Sequence, residues 1–157
     1  MKHIVRLLLL LVVFLLVTGC NSSEEQDELF QLKGSNVGDN SAVANIVNQL
    51  KQSDHFEEME LKTKDEPYGI ILQYNWQNSE QKFKETVIYN ASFLFTLVEN
   101  VDWIIFHIDT QEYKLTKEGL YDWYGTDLSE FTTKQDLVKL IEEKIEDEKS
   151  VNQLLSN

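Results

Sequence analysis

Residues able to do chemistry are few in this chain, and their spacing limits what they can do. Cysteine occurs once, at Cys20, and histidine three times, at His3, His55 and His107. A nucleophilic triad pairs a hydroxyl or thiol with a base, and histidine is the usual base. His55 lies in a polar stretch, SDHFEE, that reads as a solvated turn. His107 alternates along Trp103–Asp109 (WIIFHID) onto the same side as Trp103, Ile105 and Asp109. His107 with Asp109 can orient a base or hold a metal; the plainer reading is a half-exposed strand residue bonded to a neighbour. No serine stands in a GxSxG turn, because Gly34-Ser35-Asn36-Val37-Gly38 has it in the wrong place. Glu142, Glu143, Glu146, Asp147 and Glu148 crowd one stretch but lack the glycine turn and alternating oxygen ligands of a calcium loop. They read as a solvated helix face. The expectation is no enzyme, no cofactor and no metal. The alternative is an envelope hydrolase or ligand-modifying enzyme using His107 and nearby carboxylates.

Recognition is the chemistry the aromatic residues serve better. Tyr68, Tyr74, Trp76, Trp103, Tyr121, Trp123 and Tyr124 are many for one small domain, and aromatic anchors are the usual hot spots of interfaces. Most belong to a core: Leu120, Trp123 and Tyr124 have ordinary helical spacing. The candidates for an exposed binding patch are Tyr68, Trp76, Trp103 and Trp123, with Tyr68 foremost because a turn holds it at its tip.

The start of the chain says where these residues work. Lys2, His3 and Arg6 precede an apolar run from Leu7 to Val17, and the small residues Thr18 and Gly19 lead into Cys20. That order is a secretory signal, and the run is about half of the ~20 residues a permanent membrane helix needs. Leu16-Val17-Thr18-Gly19-Cys20 resembles the lipobox of bacterial lipoproteins. The resemblance implies removal of residues 1–19 and a diacylglyceryl group on the Cys20 sulfur. Two acyl chains anchor stably where one does not. With Cys20 taken, no disulfide, catalytic thiolate or cysteine-ligated metal remains. The expected location is the extracytoplasmic face of the cell membrane, held there by lipid.

Charge narrows the partners. The chain carries a formal −13, and loss of Lys2 and Arg6 with the signal takes it to −15. Nucleic-acid binders need a basic footprint, so nucleic acid is excluded. Anionic head groups attract Lys and Arg, so attachment rests on the lipid alone. Acidity favours a cationic peptide or protein, including a membrane protein, through electrostatic steering.

The elements that must position the candidates follow from periodicity. Residues 20–31 are polar and acidic and read as a flexible tether, with a single domain over 32–157. Gly34, Gly38, Asp39 and Asn40 mark a turn, with Asp39 or Ser41 able to cap a helix. Val43, Ile46, Val47 and Leu50 form that helix's apolar stripe. Phe56–Thr63 and Gly69–Asn75 alternate as a hairpin, joined by Asp65-Glu66-Pro67-Tyr68-Gly69, whose spacing predicts a type I turn. Lys84–Asn100 is apolar almost all round and predicts a central buried helix, although a strand over part of it fits the same pattern. Trp103–Asp109 and Glu112–Thr116 predict a second hairpin. Lys117–Tyr124 predicts a short helix stopped at Gly125, and Lys134–Lys149 a last helix that Val151–Leu155 extends. The fold class expected is α+β: a small antiparallel sheet of about four strands with helices packed on one face.

Three segments, Val37-Gly38-Asp39-Asn40-Ser41, Glu66-Pro67-Tyr68-Gly69 and Phe93–Asp102 (FLFTLVENVD), resemble an uncharacterised extracytoplasmic domain of Gram-positive bacteria, domain-of-unknown-function family 4825. The likeness spans about residues 32–140. Members look like small lipoproteins, and also like an attachment to membrane metallopeptidases of the beta-lactam-sensor type. That company implies sensing or partner binding at the cell surface. The resemblance carries no catalytic residues, and the chain lacks the metallopeptidase's HExxH pair.

Overall fold

Two alternating hairpins and one helix greasy on every side can be satisfied together only if the helix is enclosed. The computed structural model, which describes residues 27–156, builds the fold that way. Its strands are β1 (Phe56–Lys62), β2 (Gly69–Tyr74), β3 (Trp103–Ile108) and β4 (Gln111–Thr116). Its helices are α1 (Asn40–Val47), α2 (Glu80–Leu97), α3 (Lys117–Tyr124), α4 (Lys134–Ile145) and α5 (Glu148–Leu155), with single 3-10 turns at Phe30–Leu32, Ser53–His55 and Leu128–Glu130. Among the described residues no helix is long and apolar enough to cross a membrane. The signal at 1–19, Cys20 and the tether through Gln26 lie outside the described residues.

The α+β class holds, but the sheet is mixed. Its order is β1-β2-β3-β4; both hairpins are antiparallel, while β2 and β3 run parallel, Ile70 beside Ile104 and Leu72 beside Phe106. A parallel pair needs a long crossover, and α2, 18 residues long, is that crossover. Alternation along a strand is the same for parallel and antiparallel partners, which is why an all-antiparallel sheet looked sufficient.

Strand alternation splits the sheet cleanly. Ile70, Leu72, Tyr74, Ile104, Phe106, Ile108, Tyr113 and Leu115 are buried on one face, under α2, α3 and α5. Among the described residues no helix covers the other face: its rows are Lys62–Gly69–Trp103–Thr116, Glu60–Ile71–Ile105–Lys114 and Glu58–Gln73–His107–Glu112. The 3-10 turn at Leu128–Glu130 and α4 pack on α2.

Ends and breaks have local causes. Asp39 accepts from the Ala42 amide at 3.0 Å and starts α1, and Gly125, at φ 76°, stops α3. Three expectations need correction. The last helix is two helices, because Asp147 caps α5 by accepting from the Ser150 amide at 3.1 Å. The stretch between β1 and β2 holds no hydrogen-bonded turn: residues 64–67 form a run of bends, with a cis Glu66–Pro67 peptide. The folded part also begins before residue 32: Leu29 is 1 % exposed, and Phe30 meets Phe93 edge-on at 6.2 Å.

Buried polar groups on α2 are paired. Asn90 donates to the Lys51 carbonyl at 2.9 Å and accepts from the Lys51 amide at 3.1 Å. Its amide also donates to the Tyr74 hydroxyl at 3.3 Å. Ser92 donates to the Ile88 carbonyl at 2.7 Å and shares a 2.8 Å bond with the Tyr124 hydroxyl. Among the described residues, the Tyr113 hydroxyl is the buried side-chain atom left without a partner.

These tyrosines make the fold sensitive to alkali. Burial pushes Tyr74 from 10.0 up to about 12, against the opposing hydrogen bond from Asn90, and pushes Tyr124 up as well. A folded pKa above the unfolded one gives stability that is complete below pH ~10 and is lost as pH rises toward ~12. For Tyr74 the two-unit shift corresponds to about 2–3 kcal/mol. Melting followed with tyrosinate absorbance should show stability falling across that window, with Tyr74 and Tyr124 ionising only on unfolding. Ionisation of all six tyrosines near pH 10 in a still-folded chain would contradict this.

Candidate functional site

The four aromatic candidates do not form one patch. Trp76 is 8 % exposed; it stacks on His55 at 6.1 Å and meets Phe83 edge-on at 5.3 Å, so it belongs to the core. Trp123 sits on the helix side, donating to Ser150 Oγ at 2.6 Å, with the Lys144 ammonium 5.7 Å from its ring centre. Residue type alone does not say which way a tryptophan faces.

Tyr68 and Trp103 do come together, through the backbone. The Asp102 and Trp103 amides donate to the Tyr68 carbonyl at 2.9 and 3.3 Å, and the Tyr68 amide donates to Asp102 Oδ2 at 2.7 Å. The half-buried Tyr68 side chain packs against the core. Trp103 lies on the uncovered face, flat over Gly69: a Cβ there would sit 2.1 Å from the indole Cε2. Its Nε1 donates to the Pro67 carbonyl at 3.0 Å, and the Lys114 ammonium stands 5.8 Å from its ring. Ile71 and Ile105 continue this surface, half exposed. The result is an apolar strip on an otherwise charged face, anchored by a tryptophan that cannot tilt inward.

His107 is on the same face, 41 % exposed, and its Nδ1 is 3.6 Å from Glu112 Oε2. Asp109, its expected partner, lies past the strand end at φ 54°. His55 is exposed in its 3-10 turn. The acidic residues Glu142, Glu143, Glu146, Asp147 and Glu148 are all exposed. Among the described residues no group of three or more His, Cys, Asp or Glu is placed to hold a metal ion.

A cavity that sequence reasoning missed lies at the C-terminal end of α2. It measures about 410 Å³ and is lined by Lys33, Gly34, Phe95, Thr96, Glu99, Lys117, Tyr121, Asp127 and Ser129. It is more enclosed than the grooves along α4 and α5. One wall is the N-terminal segment, fixed where the Gly34 and Ser35 amides donate to the Leu97 carbonyl at 3.0 and 3.2 Å. Gly34 itself holds φ 87°, a conformation glycine adopts freely. Burial lowers the Lys117 pKa, against the pull of Asp102, Asp127 and Glu99. Burial, then Asp127, pushes the Tyr121 phenol up to about 12. Hydrogen bonds from Ser129 hold the Asp127 carboxyl below its usual range. These residues are scattered over nearly 100 positions, so no motif could announce them.

Fold and sites together define a small α+β domain with an open sheet face on one side and a polar cavity at a helix end. The family model described as Domain of unknown function (DUF4825) matches residues 29–118, more than half of the chain, and the chain belongs to that family. The match runs from the buried Leu29 into the first turn of α3, so it holds the whole sheet, Lys33 and Lys117. No curated protein and no solved structure matches the chain.

Gly69→Ala tests the Trp103 platform. The indole must leave its seat, at a cost of about 1–3 kcal/mol by the usual price of overpacking. A lower melting temperature with red-shifted tryptophan emission is expected. Unchanged stability and emission would show that Trp103 is not held by contact with Gly69.

Proposed function

We propose that this chain is a lipid-anchored, non-catalytic binding or sensor-accessory module on the outer face of a Gram-positive cytoplasmic membrane. One observation carries the binding role: the sheet's uncovered face presents Trp103, Ile71 and Ile105 as an apolar strip among ionic residues. Aromatic anchors seated on rigid strands are the usual centres of protein interfaces. The acidity of the chain favours a cationic partner, drawn in by long-range attraction.

The anchoring role rests on the signal pattern and Cys20, and the geometry supports it. Asp27 pairs with Lys134 at the start of α4 at 3.7 Å, so the chain joins the domain on its helix side. An anchor at Cys20 would then hold the helix side nearer the bilayer and leave the sheet's open face for partners.

The test is in-cell photo-crosslinking from position 114, beside Trp103, in the wild-type chain and in a Cys20→Ala variant. The anchored chain should capture one dominant cationic or membrane-protein partner. Cys20→Ala should leave the membrane fraction, or stay only with its signal uncut, and lose that adduct. A fully processed Cys20→Ala chain retained like wild type would overturn the anchor. A diffuse adduct pattern from anchored, folded protein would overturn the binding role.

A further inference from the structure

The cavity at the end of α2 holds four charged side chains, Lys33, Lys117, Glu99 and Asp127, none of them in a direct ion pair with another. Among the described residues no ion pair within 4 Å joins either lysine to either carboxylate. Three of the charges, Lys33, Lys117 and Asp127, are fixed by backbone instead. The Lys33 ammonium donates to the Ser129 and Phe131 carbonyls, both at 2.5 Å. The Lys117 ammonium donates to the Glu99 carbonyl at 2.6 Å. Asp127 accepts from the Ser129 amide at 2.8 Å. An ammonium has three donors, so Lys117 keeps two and Lys33 one for another acceptor. The Lys117 ammonium is partly buried without a carboxylate in direct contact, and Asp102, Asp127 and Glu99 act on it only from a distance.

Two cations and two anions held apart around one volume select by charge. A pure anion meets Glu99 and Asp127, and a pure cation meets Lys33 and Lys117. A molecule bearing both charges satisfies all four. The volume falls within the range of small-molecule sites, and Phe95, Gly34 and Tyr121 give the walls room and apolar area for a small side chain. Lys33, Lys117 and Asp127, positioned before binding, lower the ordering cost of association.

We propose that this cavity binds a small zwitterion, an amino acid or short peptide with free termini. Its carboxylate is held by Lys117 and Lys33, and its ammonium by Asp127 and Glu99. The assignment deepens the binding-module reading and rests on it, adding a ligand site distinct from the sheet face. The wall made by residues 33–34 continues directly toward the tether, so an occupied cavity also braces the segment that leads to the anchor.

The experiment is an NMR titration of the full lipidated chain in detergent micelles with alanyl-alanine, its N-acetyl form and its C-terminal amide. Free alanyl-alanine should shift the Gly34 and Lys117 amides, and capping either end should weaken binding at least ~10-fold. Lys117→Gln should weaken the free dipeptide similarly. Asp127→Asn, which keeps the cap on Ser129, should weaken the free dipeptide and leave the N-acetyl form unaffected. Equal binding of all three probes, absence of shifts at Gly34 and Lys117, or wild-type affinity in a folded variant would overturn the site. If partner capture from position 114 persists when the titration fails, only the cavity assignment falls. If capture fails as well, the binding-module reading falls with it.

Discussion

An 18-residue helix enclosed on nearly every side must satisfy its own polar groups from its neighbours, and that requirement organises the rest of the molecule. Leaving a buried donor or acceptor unpaired costs about 1–3 kcal/mol. Asn90 meets the requirement by clamping both backbone groups of Lys51, which fixes the loop leading from α1 to the sheet. Ser92 meets it through Tyr124, which fixes the end of α3. Thr96 turns its hydroxyl back to the Ser92 carbonyl at 2.7 Å. Each bond that frees α2 from a penalty also places another element.

The same helix decides which surfaces are left for recognition. As the crossover between β2 and β3 it lets them run parallel and covers one sheet face, leaving the other uncovered among the described residues. Where α2 ends, the Leu97 carbonyl takes the Gly34 and Ser35 amides, and the Val37 amide donates to Asn100 Oδ1 at 2.8 Å. That seam closes the N-terminal segment onto the helix end, and the cavity is the space it encloses. Open face and cavity are two consequences of one buried helix.

Most of the architecture was legible in the sequence because burial imposes periodicity. The stripes of α1 and α3, the alternation in all four strands and the greasy circumference of α2 each come from one side of an element meeting the core. Other features leave no such trace. Parallel pairing has the same alternation as antiparallel pairing. The apolar stripe runs straight through the break at Asp147, which is set by a single cap. Trp76 and Trp103 are the same residue type, yet one fills the core and the other lies over Gly69, a contact set by strand register. Lys33, Glu99, Lys117 and Asp127 meet only through tertiary structure. Their gathering around one cavity, with Lys33, Lys117 and Asp127 bonded to backbone carbonyls and an amide and none of the four in a direct ion pair with another, is visible only in three dimensions.

Central to the proposed function is a lipid-anchored domain whose N-terminal segment enters on the helix side, beside Lys134, leaving the sheet's open face for partners. Because cysteine occurs only at Cys20, single labels at Gln73→Cys, on the open face, and Lys139→Cys, on α4, can each be introduced without a second reactive thiol in the lipidated chain. Quenching of each label by head-group nitroxide lipids in vesicles carrying the anchored protein measures which side approaches the bilayer. The account predicts strong quenching at position 139 and weak quenching at position 73. Equal quenching, or the reverse order, would contradict it.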